Sequence, residues 1–180
     1  MAPIYFRTHN FNAMKTDLKK TLKEYFTASP ECTTIEFGKL AYIARVGEGE
    51  PRGATFIQTI QTLYGAAYGL KNYYKKVGSD FVVPPLEGLW WANSSAFFMD
   101  TPRAQWQWKL LIMMPDFVTQ STFKEVIQEL TDRKRETNLN GLQLEEMNEG
   151  HCVQVMHTGP YADEFKTIKM MDDYLKENQQ

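Results

Sequence analysis

Hydrophobic and polar positions along this chain follow two periods, and each change of period marks an element. Across 15–26, KTDLKKTLKEYF, the residues Leu18, Leu22, Tyr25 and Phe26 recur at helical spacing among lysines, which predicts an amphipathic N-terminal helix. Pro30 breaks that run. TIEF and KLAYIARV, on either side of Gly38, are rich in β-branched and aromatic residues and predict two strands or one long bent strand. After the turn GEGEP, Phe56, Ile60, Leu63, Ala67, Leu70 and Tyr74 step by fours and threes. They outline the clearest helix of the sequence, which closes near Gly78.

DFVV, the Pro84–Pro85 break and LEGLWW predict a kinked strand. WQWKLLIMM, ended by Pro115, predicts its hairpin partner across a polar turn. Thr122 followed by Glu125 has the spacing of a capping box, with Phe123, Val126, Ile127 and Leu130 at helical spacing after it. LQLEEM and HCVQVMH predict strands, and DEFKTIKMMDDYL predicts a last helix with Phe165, Ile168, Met171 and Leu175 on one face. The middle of the chain therefore reads strand–helix–strand–strand, and the end restarts as strand–helix. The joints ARVGEGEPRGATFIQTI and VMHTGPYADEFKTI share a shape, which suggests an internal repeat.

Composition narrows the function. Net charge is −2 and the pI near 5.9, which disfavours a nucleic-acid partner because phosphate neutralisation needs a basic face. No segment has the length of a signal peptide's apolar run or of a membrane span, and two cysteines, Cys32 and Cys152, predict buried thiols in a reducing compartment. A cytoplasmic protein without membrane contact is expected. The aromatic share of 13%, with four Trp and nine Met, suits either a core or a pocket for flat apolar ligands.

Several small patterns carry no chemistry. Gly47-Glu48-Gly49 lies between a strand and a helix, but Glu48 and Glu50 would repel a phosphate, so a structural turn is expected. On a strand, His151 and His157 would stand roughly 20 Å apart, too far to share a metal ion. No metal site and no cofactor are expected. Cys152 could pair with a histidine as a nucleophile, yet a small buried strand residue is the plainer reading.

PLEGLWW is the most informative segment. Alternation places Glu87, Leu89 and Trp91 on one face and Leu86, Gly88 and Trp90 on the other. A carboxylate in so apolar a strand must lie at an exposed edge, or face a pocket where it meets a tyrosine or a cationic ligand, because burying it unpaired is costly. In the hairpin partner, Trp106 and Trp108 share one face, and Leu111 and Met113 the other.

The segments PPLEGLWW, W-x-W-x-x-x-I-M-M-P-D-F-V-T and E-G-x-x-V-Q-V-M-H-T-G-P-Y-x-x-E resemble the GyrI-like small-molecule-binding proteins, over a stretch from about Met14 to the C-terminus. The resemblance implies an α+β fold of tandem strand–helix–strand–strand lobes related by a pseudo-twofold axis, with antiparallel sheets and helices on one face. The first lobe would span about 33–115 and the second about 116–180. It also implies a ligand pocket between the lobes. Such domains sense drugs in multidrug-responsive regulators, stand-alone members bind xenobiotics, and one subfamily hydrolyses cyclopropane-bearing DNA-alkylating compounds in an aromatic cage.

Carried onto this chain, the resemblance implies Tyr64, Tyr68, Glu87, Trp90, Trp91, Trp108, Met113 and His157 as ligand-binding residues. Glu87, Tyr161 and Glu164 are its candidates for catalysis. The alternative is a ligand sensor, or a protein-interaction module of the gyrase-inhibitor kind, that works without chemistry. Family members continue past the last helix with further strands, whereas this chain ends at LKENQQ. An incomplete second lobe is therefore expected, with an open sheet edge through which two copies could pair.

Overall fold

A computed structural model describes residues 15–93, 100–133 and 139–178. Its centre is a four-stranded antiparallel sheet built from β1 (Thr33–Glu48), β2 (Leu86–Trp91), β3 (Gln107–Met114) and β4 (Gln143–Gln154), in the order β2-β3-β1-β4. Helices α1 (Leu18–Thr21), α2 (Ala54–Lys76), α3 (Gln120–Asp132) and α4 (Glu164–Glu177) accompany it, with short 3-10 turns at Arg103–Gln105 and Tyr161–Asp163. The fold is α+β, as the period changes predict, and is consistent with a GyrI-like architecture.

β1 settles the question of one strand or two. It runs unbroken through Gly38 for 16 residues because both of its edges are used, pairing with β3 over 41–48 and with β4 over 33–44. Of the two glycines expected in a turn, only Gly49 leaves the strand; Gly47 stays in β1, paired with Trp108. Gly47 lies directly under the Trp108 ring, where a Cβ would come within 2.1 Å, and Gly49 has a φ of +103°. β4 is likewise one strand where two were expected, and His157 lies beyond its end. Among the described residues, no strand pairs with the outer side of β4.

The two faces of the sheet are covered differently. On one face α2 buries Leu63, Ala66, Ala67, Leu70 and Tyr74, and α3 buries Phe123 and Val126, against Ile43, Trp108, Leu110, Ile112 and Met114. On the other, Leu18, Leu22, Tyr25 and Phe26 pack on Tyr42, Ala44, Leu111 and Met113. That second contact reshapes the N-terminal helix. Only Leu18–Thr21 is helical, and turns carry the chain on to Phe26, so that Tyr25 reaches into the sheet face.

Two more expectations shift for local reasons. The cap of α3 is Thr119 rather than Thr122: its side chain accepts from the Thr122 N–H at 3.2 Å, and the helix starts earlier. The segment before Pro84–Pro85 stays out of the sheet. Phe81 instead makes an isolated bridge with Thr16, while Lys71 of α2 bonds Asp80 and the Phe81 carbonyl. α4 buries none of its residues, so Phe165 and Met170 remain exposed.

Candidate functional site

Register builds the site. Glu87 of β2 stands opposite Leu111 of β3, which stands opposite Ala44 of β1, so all three share the face that α2 does not cover. Tyr42 is two residues along on that face and is fully buried. The turn after α1 lowers Tyr25 onto this row. Its hydroxyl donates to Glu87 Oε2, lies 2.9 Å from the Tyr42 hydroxyl and 3.4 Å from Glu149 Oε1. Two tyrosines and two carboxyl groups thus meet around one hydroxyl.

The electrostatics follow from that crowding. Burial pushes the Glu87 carboxyl up to about 7; the Tyr25 hydrogen bond opposes the rise and the nearby Glu149 charge adds to it. Burial, and then the hydrogen bond to Glu87, raise the Tyr25 phenol, and burial raises that of Tyr42, so both stay protonated. Glu87 Oε1 is buried with no hydrogen-bond partner among the described residues. A carboxyl group half neutral at pH 7, with one oxygen uncommitted, can hold a proton, release one, or bind a cation once ionised.

The same face continues past this network into open surface. Leu89, Trp91, Gln107, Lys109 and Val46 follow Glu87 along the strands, with Trp91 Nε1 donating to Gln107 Oε1 at 2.9 Å. Lys109 Nζ donates to Glu145 Oε1 at 2.7 Å, spanning β1 from β3 to β4. Two grooves lie elsewhere. One of about 640 Å³ runs between Pro30–Cys32 and α4, and one of about 470 Å³ lies between α2 and α3. Neither is lined by Glu87. Among the described residues, no group of three or more His, Cys, Asp or Glu could hold a metal ion, and no helix is long and apolar enough to cross a membrane.

Solved structures share this arrangement of elements. A Listeria innocua protein described as an uncharacterized conserved protein superposes with a TM-score of 0.84 at 29% identity, over 92% of this chain and 82% of that one. Two Listeria innocua structures described as hydrolases are each 30% identical over the same shares, with TM-scores of 0.79 and 0.81. This chain belongs to their family. No protein-family model matches it, and no curated protein does.

Within that family fold, the residues singled out in the sequence fall into three groups. Glu87, Trp91 and Met113 share the open face, with Met113 buried beneath the N-terminal turn. Trp90, Trp108 and Tyr64 lie on the opposite, helix-covered face. Trp90 packs against Phe56 and Trp106 at ring distances of 5.5 and 5.9 Å, Trp108 is fully buried, and the Tyr64 hydroxyl accepts from the Leu86 N–H at 3.2 Å. Tyr68 stacks on Tyr64 but is half exposed on the outside of α2.

His157, Tyr161 and Glu164 form the third group, past the far end of β4. His157 is held at the entry to α4, with Nδ1 2.7 Å from Thr167 Oγ1 and Nε2 3.2 Å from the Pro160 carbonyl. Tyr161 is exposed and Glu164 begins α4. The structure does not bring this group to Glu87. Its actual neighbours, Tyr25, Tyr42 and Glu149, come from three distant segments, and no pattern within any one of them ties it to Glu87. The available signal was Tyr42, a polar tip at the centre of the apolar run LAYIA. Cys152 sits beside Ile35, its thiol pushed up by burial and by Glu149, and among the described residues it donates to the Ile35 carbonyl rather than to a histidine base.

Proposed function

We propose that this chain binds flat apolar or cationic small molecules on the open sheet face beside Glu87, and that Glu87 serves as proton donor in opening a strained or electrophilic ring. The observation that carries the reading is the Glu87 carboxyl, pushed up to about 7, with Oε1 buried and without a partner among the described residues. In the reaction, water adds its oxygen to the electrophilic ring carbon, a ring C–C bond breaks, and the released electron pair takes the Glu87 proton. Water's surplus proton then restores the acid, so the net change is addition of water. The GyrI-like segments, the α+β fold and the hydrolase descriptions of the Listeria innocua relatives support this assignment.

The test is incubation of purified protein with a cyclopropane-bearing alkylator, followed by mass spectrometry. Appearance of the water adduct, abolished by Glu87→Gln, is the expected result. Ligand bound without product would assign the site to sensing instead. One feature favours that second reading: the Leu22–Phe26 turn lies over the network, so a ligand reaching Glu87 Oε1 must displace Tyr25 and would report its presence as a change of shape.

A further inference from the structure

The row next to Glu87 on the open face has an unusual composition. Leu89, Lys109 and Val46 stand opposite one another on β2, β3 and β1. Leu89 is 39% exposed and Val46 57%, so two apolar side chains flank a lysine on uncovered sheet. Lys109 itself is mostly buried, its side chain 25% exposed, and Glu145 at 2.7 Å is the acceptor it meets among the described residues. An ammonium group carries three donors, so two are left for water or a ligand.

Building on the ligand-binding reading above, we infer that Lys109 selects the ligand by its acceptor oxygen: a flat apolar molecule lies on Leu89 and Val46 and points a ketone, quinone or enone carbonyl at Lys109 Nζ. Charge decides between a carbonyl and an anion. Glu145 already neutralises Lys109, so a carboxylate or phosphate would find no net positive charge there and would be repelled by the Glu145 carboxylate beside it. A neutral carbonyl escapes that repulsion and still gains a charge-assisted hydrogen bond. The same contact draws electron density away from a ring conjugated to the carbonyl, the polarity that attack by water beside Glu87 would need.

Fluorene and 9-fluorenone, nearly the same shape with and without a carbonyl, serve as probes in isothermal titration. The wild-type chain should bind fluorenone about tenfold more tightly, the effect of one hydrogen bond to a charged group. Lys109→Met should bring that ratio to about one with fluorene still bound, which also shows that the variant is folded. Lys109→Arg should retain a preference, and Glu145→Gln should widen it by freeing the ammonium. A ratio unchanged in Lys109→Met would overturn the inference and leave Lys109 as a strand-stitching ion pair, with ligand binding itself intact. Binding of neither probe by the wild-type chain would remove the underlying site and the inference with it.

Discussion

The Tyr25 hydroxyl donates to Glu87 Oε2, tying the N-terminal turn to a strand 62 positions away. This contact decides how Glu87 behaves. Without it the acid would keep burial and the Glu149 charge, both of which favour its neutral form, and lose the interaction that favours ionisation. Tyr25→Phe should therefore move the Glu87 titration further up and destabilise the fold by about 1–3 kcal/mol, as expected for a buried acceptor left unmade. Carboxyl resonances in a pH-resolved NMR titration, alongside urea melts, check both effects.

Stability should fall with rising pH through the acid range of Glu87. Its folded value near 7 lies above that of an unfolded glutamate, so the folded chain holds the proton more tightly. The contribution is complete below the unfolded value of about 4.3 and is lost as pH climbs to about 7, roughly 3–4 kcal/mol in total. Glu87→Gln should flatten this part of the profile. Parallel pH-dependent slopes for the two proteins would show that another group titrates.

Ligand preference should follow the same proton. A cationic aromatic should bind more tightly as pH rises from 6 to 8, when Glu87 ionises, while a neutral analogue changes little. Turnover that uses Glu87 as an acid should show the opposite trend. Titration of a cationic and neutral pair at both pH values, repeated with Glu87→Gln, measures the first effect directly.

The fluorescence response to an aromatic ligand should come from Trp91. It shares the face of Glu87, whereas Trp108 is fully buried under the helices and Trp90 packs there against Phe56. Trp91→Phe should remove most of the quenching, and an equal response in that variant would place the ligand on the other face.

Close packing makes one glycine sensitive and another indifferent. Gly47→Ala would press a Cβ to 2.1 Å from the Trp108 ring and should cost about 1–3 kcal/mol. Gly38→Ala, with nothing within 4 Å, should leave the denaturation midpoint nearly unchanged. Chemical denaturation of the two variants makes the comparison.

What the sequence determined by itself is what local periodicity encodes. The steps from Phe56 to Tyr74 set α2, and alternation through LEGLWW and WQWKLLIMM set both the hairpin and the split that parts Glu87 and Trp91 from Trp90. Those patterns suffice because a strand has two faces and a helix one apolar stripe, whatever lies against them. The sequence also posed the right question about Glu87, an exposed edge or a partner tyrosine. Only the tertiary structure supplied Tyr25, because its position depends on a helix stopping at Thr21 so that the turn can drop onto Tyr42 and Met113. It likewise set Trp108 in the core and His157, Tyr161 and Glu164 past the far end of β4. Residues from segments this far apart meet through sheet order and strand register, and the pattern within any one segment carries no record of either.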